Sequence, residues 1–134
     1  MKRSGVLHGE LSEIIANLGH GQQLVIGDAG LPIPAGVRRI DLAVRPGLPA
    51  FLDVLAAVLA DLPIESCVVA SELFERNPDY YQRIASLMEA LTDAPIERIS
   101  HEDLKVESQH AVAVIRTGEW TPFANVILRA GVVF

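Results

Sequence analysis

Short apolar runs alternate with helical stripes along the whole chain, and this alternation restricts the folds open to it. Segments 23–27, 39–44, 64–73, 96–100, 111–116 and 125–128 have the apolar content or the polar–apolar alternation of strands. Between them, Leu11, Ile14, Ile15 and Leu18 fall at i, i+3, i+4 and i+7, the spacing of one helical stripe, and Gly19 supplies a stop. A second helix is predicted over 50–62. A third has Asn77 as its cap and Pro78 at its first position, and it runs to Leu91. Strands alternating with helices of this length predict an α/β layered domain: a largely parallel central sheet flanked by helices, with residues 1–134 as a single domain.

Composition removes several function classes. Eleven Lys and Arg against 17 Asp and Glu give a formal charge of -6, and Arg38-Arg39 is the one dense basic pair beyond the N-terminus. Nucleic-acid phosphates need a concentrated basic patch, so no nucleic-acid partner is expected. The apolar run 51–62 is short and interrupted by Asp53 and Asp61, which fits a buried helix and not a bilayer span. Met1-Lys2-Arg3 leads into Ser4-Gly5 instead of an apolar segment, so a cytoplasmic location is expected. Cys67 is the single cysteine and sits in an apolar run, where it reads as a packing residue. Half of the residues are hydrophobic, slightly high for a small monomer with few aromatics, and some of that surplus is expected at contacts between subunits.

In open α/β sheets ligands sit beyond the carboxyl ends of the strands, which makes Asp28, His101 and Glu119 candidates for one pocket. Asp28 in Asp28-Ala29-Gly30 is also a common turn-former that bonds its own backbone. Ser100 and Asp103 have capping-box spacing, which puts His101 in the first turn of a short helix, whose positive end favours the neutral ring. His20, between Gly19 and Gly21, is either an exposed capping residue or a proton shuttle; an imidazole pKa of about 6.5 suits the second role. Asp41 reads as a salt-bridged strand residue, paired with Arg38 or Arg39. His8, His20, His101 and His110 lack the two-to-four-residue spacing of a zinc site, so no metal is expected. No phosphate-cradling glycine motif occurs either, so no nucleotide cofactor is expected.

Several segments together are more specific than any one motif. They are Gly5-Val6-Leu7, Leu18-Gly19-His20-Gly21, Asp28-Ala29-Gly30-Leu31-Pro32-Ile33-Pro34, Arg39-Ile40-Asp41-Leu42 and Gly47-Leu48-Pro49-Ala50-Phe51. Near the end come Ala113-Val114-Ile115-Arg116-Thr117-Gly118-Glu119 and Pro122-Phe123-Ala124-Asn125-Val126-Ile127-Leu128-Arg129-Ala130-Gly131-Val132. On these residues the chain resembles the D-ribose pyranase family, relatives of L-fucose mutarotase, over essentially its whole length. The Asp-Ala-Gly-Leu-Pro-Ile-Pro form is similar to the ribose branch.

The resemblance implies a cofactor-independent isomerase that interconverts the pyranose and furanose forms of D-ribose as a ring-shaped homo-oligomer, commonly a decamer. It implies that His20 is the proton donor and that Asp28, His101, Phe123, Ala124 and Asn125 bind substrate. The family usually has tyrosine where this chain has Phe123, so one phenolic hydrogen bond to the sugar, worth about 0.5 to 1.5 kcal/mol, is lost. Opening a hemiacetal breaks no carbon–hydrogen bond and expels no electron pair from the sugar. One acid–base group, worth roughly 10² to 10⁴ in rate, can therefore drive it. The alternatives are a non-catalytic sugar-binding or transport-associated module using the same pocket, and a mutarotase for another sugar such as L-fucose.

Overall fold

The computed structural model describes residues 1–134. Five helices, α1 (Gly9–Asn17), α2 (Phe51–Asp61), α3 (Ser71–Arg76), α4 (Pro78–Leu91) and α5 (His101–Glu107), flank a sheet of six strands. The strands are β1 (Gln23–Gly27), β2 (Arg38–Asp41), β3 (Ile64–Ala70), β4 (Ile96–Ile99), β5 (Ala113–Arg116) and β6 (Val126–Ala130), in the spatial order β2-β5-β1-β6-β3-β4. Neighbours pair in parallel except at β6, which runs antiparallel to both β1 and β3. The sheet is therefore largely parallel, and its two ends are chemically distinct.

Alternate residues of the central strands face opposite layers, as the pleat requires. Leu24 and Ile26 of β1, Cys67 and Val69 of β3 and Val126 and Leu128 of β6 join a larger core with Phe51, Leu55, Ile84 and Met88 from the helices. Val25, Val68, Val114 and Ile127 face the other way, onto Leu31 and Leu104. Both faces are covered, which is why these strands read as continuous apolar runs. Burial pushes the Cys67 thiol up to about 12, so it packs and does not react. No helix is long and apolar enough to cross a membrane.

Several boundaries differ from the sequence expectation. β2 stops at Asp41, not at residue 44, because the Asp41 carboxylate accepts from the Ala43 N–H and turns the chain. β3 stops at Ala70 instead of running to residue 73; Leu73 is fully buried, but on α3. β5 begins at Ala113 and not at residue 111, because Ala111 still bonds to Ser108 in a 3-10 turn. β6 begins at Val126, since Asn125 is engaged in a turn, and it extends to Ala130 instead of ending at residue 128. Asp41 is paired with Arg116 of the neighbouring strand at 3.1 Å, not with Arg38 or Arg39.

Candidate functional site

Five strands end, and β6 begins, at the same side of the sheet. That side gathers Asp28 after β1, His101 after β4, Glu119 after β5 and the turn 123–125 before β6. Asp28 and Glu119 line one cleft of about 470 Å³ with Gly30, Arg116, Trp120 and Pro122.

Asp28 plays the turn-forming part, with Oδ1 accepting from the Gly30 N–H at 2.8 Å, and its own N–H donates to Asn125 Oδ1 at 2.9 Å. Gly27 makes this approach possible: a Cβ there would meet Asn125 Oδ1 at 3.2 Å and Leu31 Cδ2 at 2.6 Å. Burial raises the Asp28 carboxyl above the usual aspartate range, partly opposed by the Gly30 N–H and the nearby His101. Asn125 is fully buried, and its Nδ2 has no partner.

Ser100 caps α5 through the Asp103 N–H at 3.1 Å, as its spacing predicts. The His101 N–H donates to Glu72 Oε2 at 2.6 Å. The His101 ring meets Phe123 edge to face with centroids 5.0 Å apart, and its buried Nδ1 has no partner. Arg76 lies 5.2 Å from the Phe123 ring centre. Phe123 has φ 64, a left-handed conformation that costs a residue other than glycine about 1 kcal/mol or more and that gathers at functional sites. Ala124 is fully buried in the core.

The spacing of Glu119 marks it as a pocket residue but not as the acceptor it proves to be. Its Oε1 accepts from the Phe51 N–H at 3.1 Å and the Tyr80 hydroxyl at 2.9 Å, and its Oε2 from Trp120 N, Thr121 N and Thr121 Oγ1. Burial alone would raise this carboxyl, but the hydrogen bonds from Phe51, Tyr80 and Thr121 hold it below the usual range. Glu119 thus fixes the loop that leads to Phe123.

His20 is elsewhere. It precedes β1, whereas Asp28 follows it, and five strand residues separate the sheet's ends by about 17 Å. Gly21, at φ 79, donates to Ala130 O, which ties the His20 turn to the far end of β6. His20 Nε2 lies 2.6 Å from Glu65 Oε2, with 62% and 43% of the two side chains exposed. Within one chain the structure therefore brings Asp28, His101, Phe123 and Asn125 together and leaves His20 at the opposite end. His8 caps α1 by accepting from the Leu11 N–H, and His110 ends the 3-10 turn.

Residues 1–133 match the RbsD / FucU transport protein family. A D-ribose pyranase of Symbiobacterium thermophilum is 57% identical over 134 residues, covering 100% of both chains. One of Paracidovorax citrulli is 56% identical with the same full coverage. Among solved structures, Bacillus subtilis RbsD complexed with D-ribose is 45% identical, covers 100% of both chains and superposes with a TM-score of 0.94. The fucose mutarotase of Streptococcus pneumoniae in complex with L-fucose, at 22% identity and a TM-score of 0.74, shares the fold.

Proposed function

The chain belongs to the RbsD / FucU transport protein family, and from that membership we propose that it interconverts the pyranose and furanose forms of D-ribose. It is an isomerase of the D-ribose pyranase type. The sugar is held by Asp28, His101, Phe123, the backbone of Ala124 and Asn125, and the proton is moved by His20.

The unpartnered polar atoms His101 Nδ1 and Asn125 Nδ2 carry the binding half of this function. Buried donors and acceptors are rarely left unpaired, and two of them lie beside Asp28 and Phe123 at the strand ends. A ribose offers several hydroxyls, each both donor and acceptor, and can satisfy both atoms while bonding the Asp28 carboxylate. The ring of Phe123 gives the sugar an apolar face.

His20 supplies the chemistry from a second copy of the chain. Its place at the other end of the sheet keeps it from a sugar bound beside Asp28 of the same copy. A homo-oligomer that sets the His20 end of one copy against the cleft of the next completes the site. The imidazole takes the proton of the anomeric hydroxyl and returns one to the ring oxygen, which releases the open-chain aldehyde. Closure through the other hydroxyl runs the same transfers in reverse. Every proton removed is returned, so the reaction needs neither an oxidant nor a reductant.

Saturation-transfer NMR on ribose tests this. Exchange between pyranose and furanose signals is expected to be faster with protein, and His20→Ala is expected to remove the acceleration while ribose still binds. Binding without any acceleration by the unaltered protein would leave a sugar-binding module instead.

A further inference from the structure

Helix α3 follows β3 without a loop and sets two charged side chains against residues of the sugar site. Ala70, the last residue of β3, is also the cap before α3, and Asn77 ends α3 while its side chain caps α4 by accepting from the Tyr80 N–H. Leu73 between them is fully buried. The short helix is therefore fixed at both ends and in its middle. Glu72 and Arg76 stand four residues apart on it, the spacing that puts two side chains on one helix face. Glu72 Oε2 accepts from the His101 N–H at 2.6 Å, and the Arg76 guanidinium lies 5.2 Å from the centre of the Phe123 ring. Those two partners touch each other edge to face, with centroids 5.0 Å apart and planes at 85°.

Both partners need an outside hold. Phe123 has φ 64 and opens a tight turn in which the Asn125 N–H donates back to Phe123 O at 2.8 Å. A strained backbone persists only where its surroundings over-determine it. His101 supplies a ring on one side, and Arg76 supplies a cation, which the negative face of an aromatic ring attracts. Arg76 is exposed and makes no ion pair, although the chain carries a formal charge of -6, so its guanidinium is free to serve the ring. His101 presents a buried Nδ1 without a partner, and the aim of that atom depends on the main chain that Glu72 holds. We infer that Glu72 and Arg76 are positioning residues of the sugar site: from one face of α3, Glu72 fixes the main chain of His101 and Arg76 fixes the ring of Phe123. This rests on the isomerase function proposed above and deepens its binding half. Neither residue exchanges a proton with the sugar, so both act on binding and not on the transfer at His20.

The test is the kinetics of ribose exchange with the intact protein. Arg76→Met keeps the stem and removes the charge; it should raise the KM for ribose about two- to fivefold, the size of an exposed cation–π contact, at nearly unchanged kcat. Arg76→Lys, which keeps a cation over the ring, should recover most of that loss. Glu72→Ala should also raise KM, and Glu72→Gln, whose amide oxygen can still accept from the His101 N–H, should recover most of it. If Glu72→Ala fails to fold, Glu72→Asp, one carbon shorter, takes its place. With ¹³C at histidine, the ring protons of His101 feel the ring current of Phe123, and Arg76→Met should shift them. An unchanged KM, a fall in kcat in place of a rise in KM, or a loss that Arg76→Lys does not relieve overturns the positioning role of Arg76. An unchanged KM with Glu72→Ala or Glu72→Asp overturns that of Glu72. Absence of acceleration in the unaltered protein overturns the isomerase function alone. The same variants are then compared by the Kd for ribose, where a two- to fivefold weakening supports the positioning role and an unchanged Kd overturns it.

Discussion

Asp28 is a turn-former, a wall of the cleft and a carboxylate that burial makes hard to ionise. The last property has a definite sign. Its folded pKa is raised, so its contribution to stability is full below the ordinary aspartate value of about 3.9 and is lost as pH rises through the folded value. At neutral pH the folded chain carries the whole cost of ionising it. Asp28→Asn removes the charge, and the amide oxygen can still accept from Gly30. The variant is therefore expected to be more stable than the unaltered protein at neutral pH, with the difference shrinking as the pH is lowered towards 3, and to bind ribose more weakly. Urea unfolding at a series of pH values measures this, and a difference independent of pH would remove the explanation. Phe123 shows a second tension at this scale. It is held at φ 64 between His101 and Arg76, in a conformation that asparagine or glycine would adopt more easily.

The elements around the cleft are joined by Glu119, which ties the start of α2 and the α4 residue Tyr80 to the loop after β5. The Tyr80 hydroxyl is buried and donates to a carboxylate, which pushes its ionisation far above the usual phenol range and keeps it a donor. Tyr80→Phe should cost roughly 1.5 kcal/mol, the low end for a bond to a charged group because Glu119 keeps its other donors. It should also raise the KM for ribose, since the loop leading to Phe123 loses an anchor. Denaturation and exchange kinetics on the same sample check both effects. Much at this scale was legible beforehand because helix ends are written locally: Asn77-Pro78 and the Ser100 cap lie within a few residues of what they bond. The end of β3 was not legible, since Leu73 is equally apolar in a strand or on α3. The β3 bulge between Ile64 and Ser66 was also hidden, because it depends on register against a strand more than 60 residues away. Asp28, His101 and Glu119 could be grouped from strand ends alone, whereas the reversed direction of β6, which brings Asn125 to them, leaves no mark in its own residues.

The proposed function divides the work between the two ends of one sheet. One end holds the buried polar atoms that suit a sugar, and the other holds an open histidine and its carboxylate, about 17 Å away along β1. Neither end is complete. Exposed apolar groups stand at both: Trp120 at the rim of the cleft, and Val133 and Phe134 on the tail that follows Gly131 beside Glu65. Such groups are what a monomer avoids exposing and an assembly covers. A site shared between copies makes a prediction that a site within one copy cannot. His20→Ala and Asn125→Ala proteins should each fail to accelerate ribose exchange, the first for want of the proton carrier and the second for want of a sugar contact. When the two are unfolded together and refolded as a mixture, some cleft ends with Asn125 intact will face His20 ends that are also intact. Random mixing of equal amounts makes that pairing about one in four, so roughly a quarter of the unaltered activity per site should return. Refolding each variant alone is the control. A mixture as inactive as its parents would mean that His20 serves the cleft of its own copy, and the sheet's ends would then have to be brought together by a change of fold.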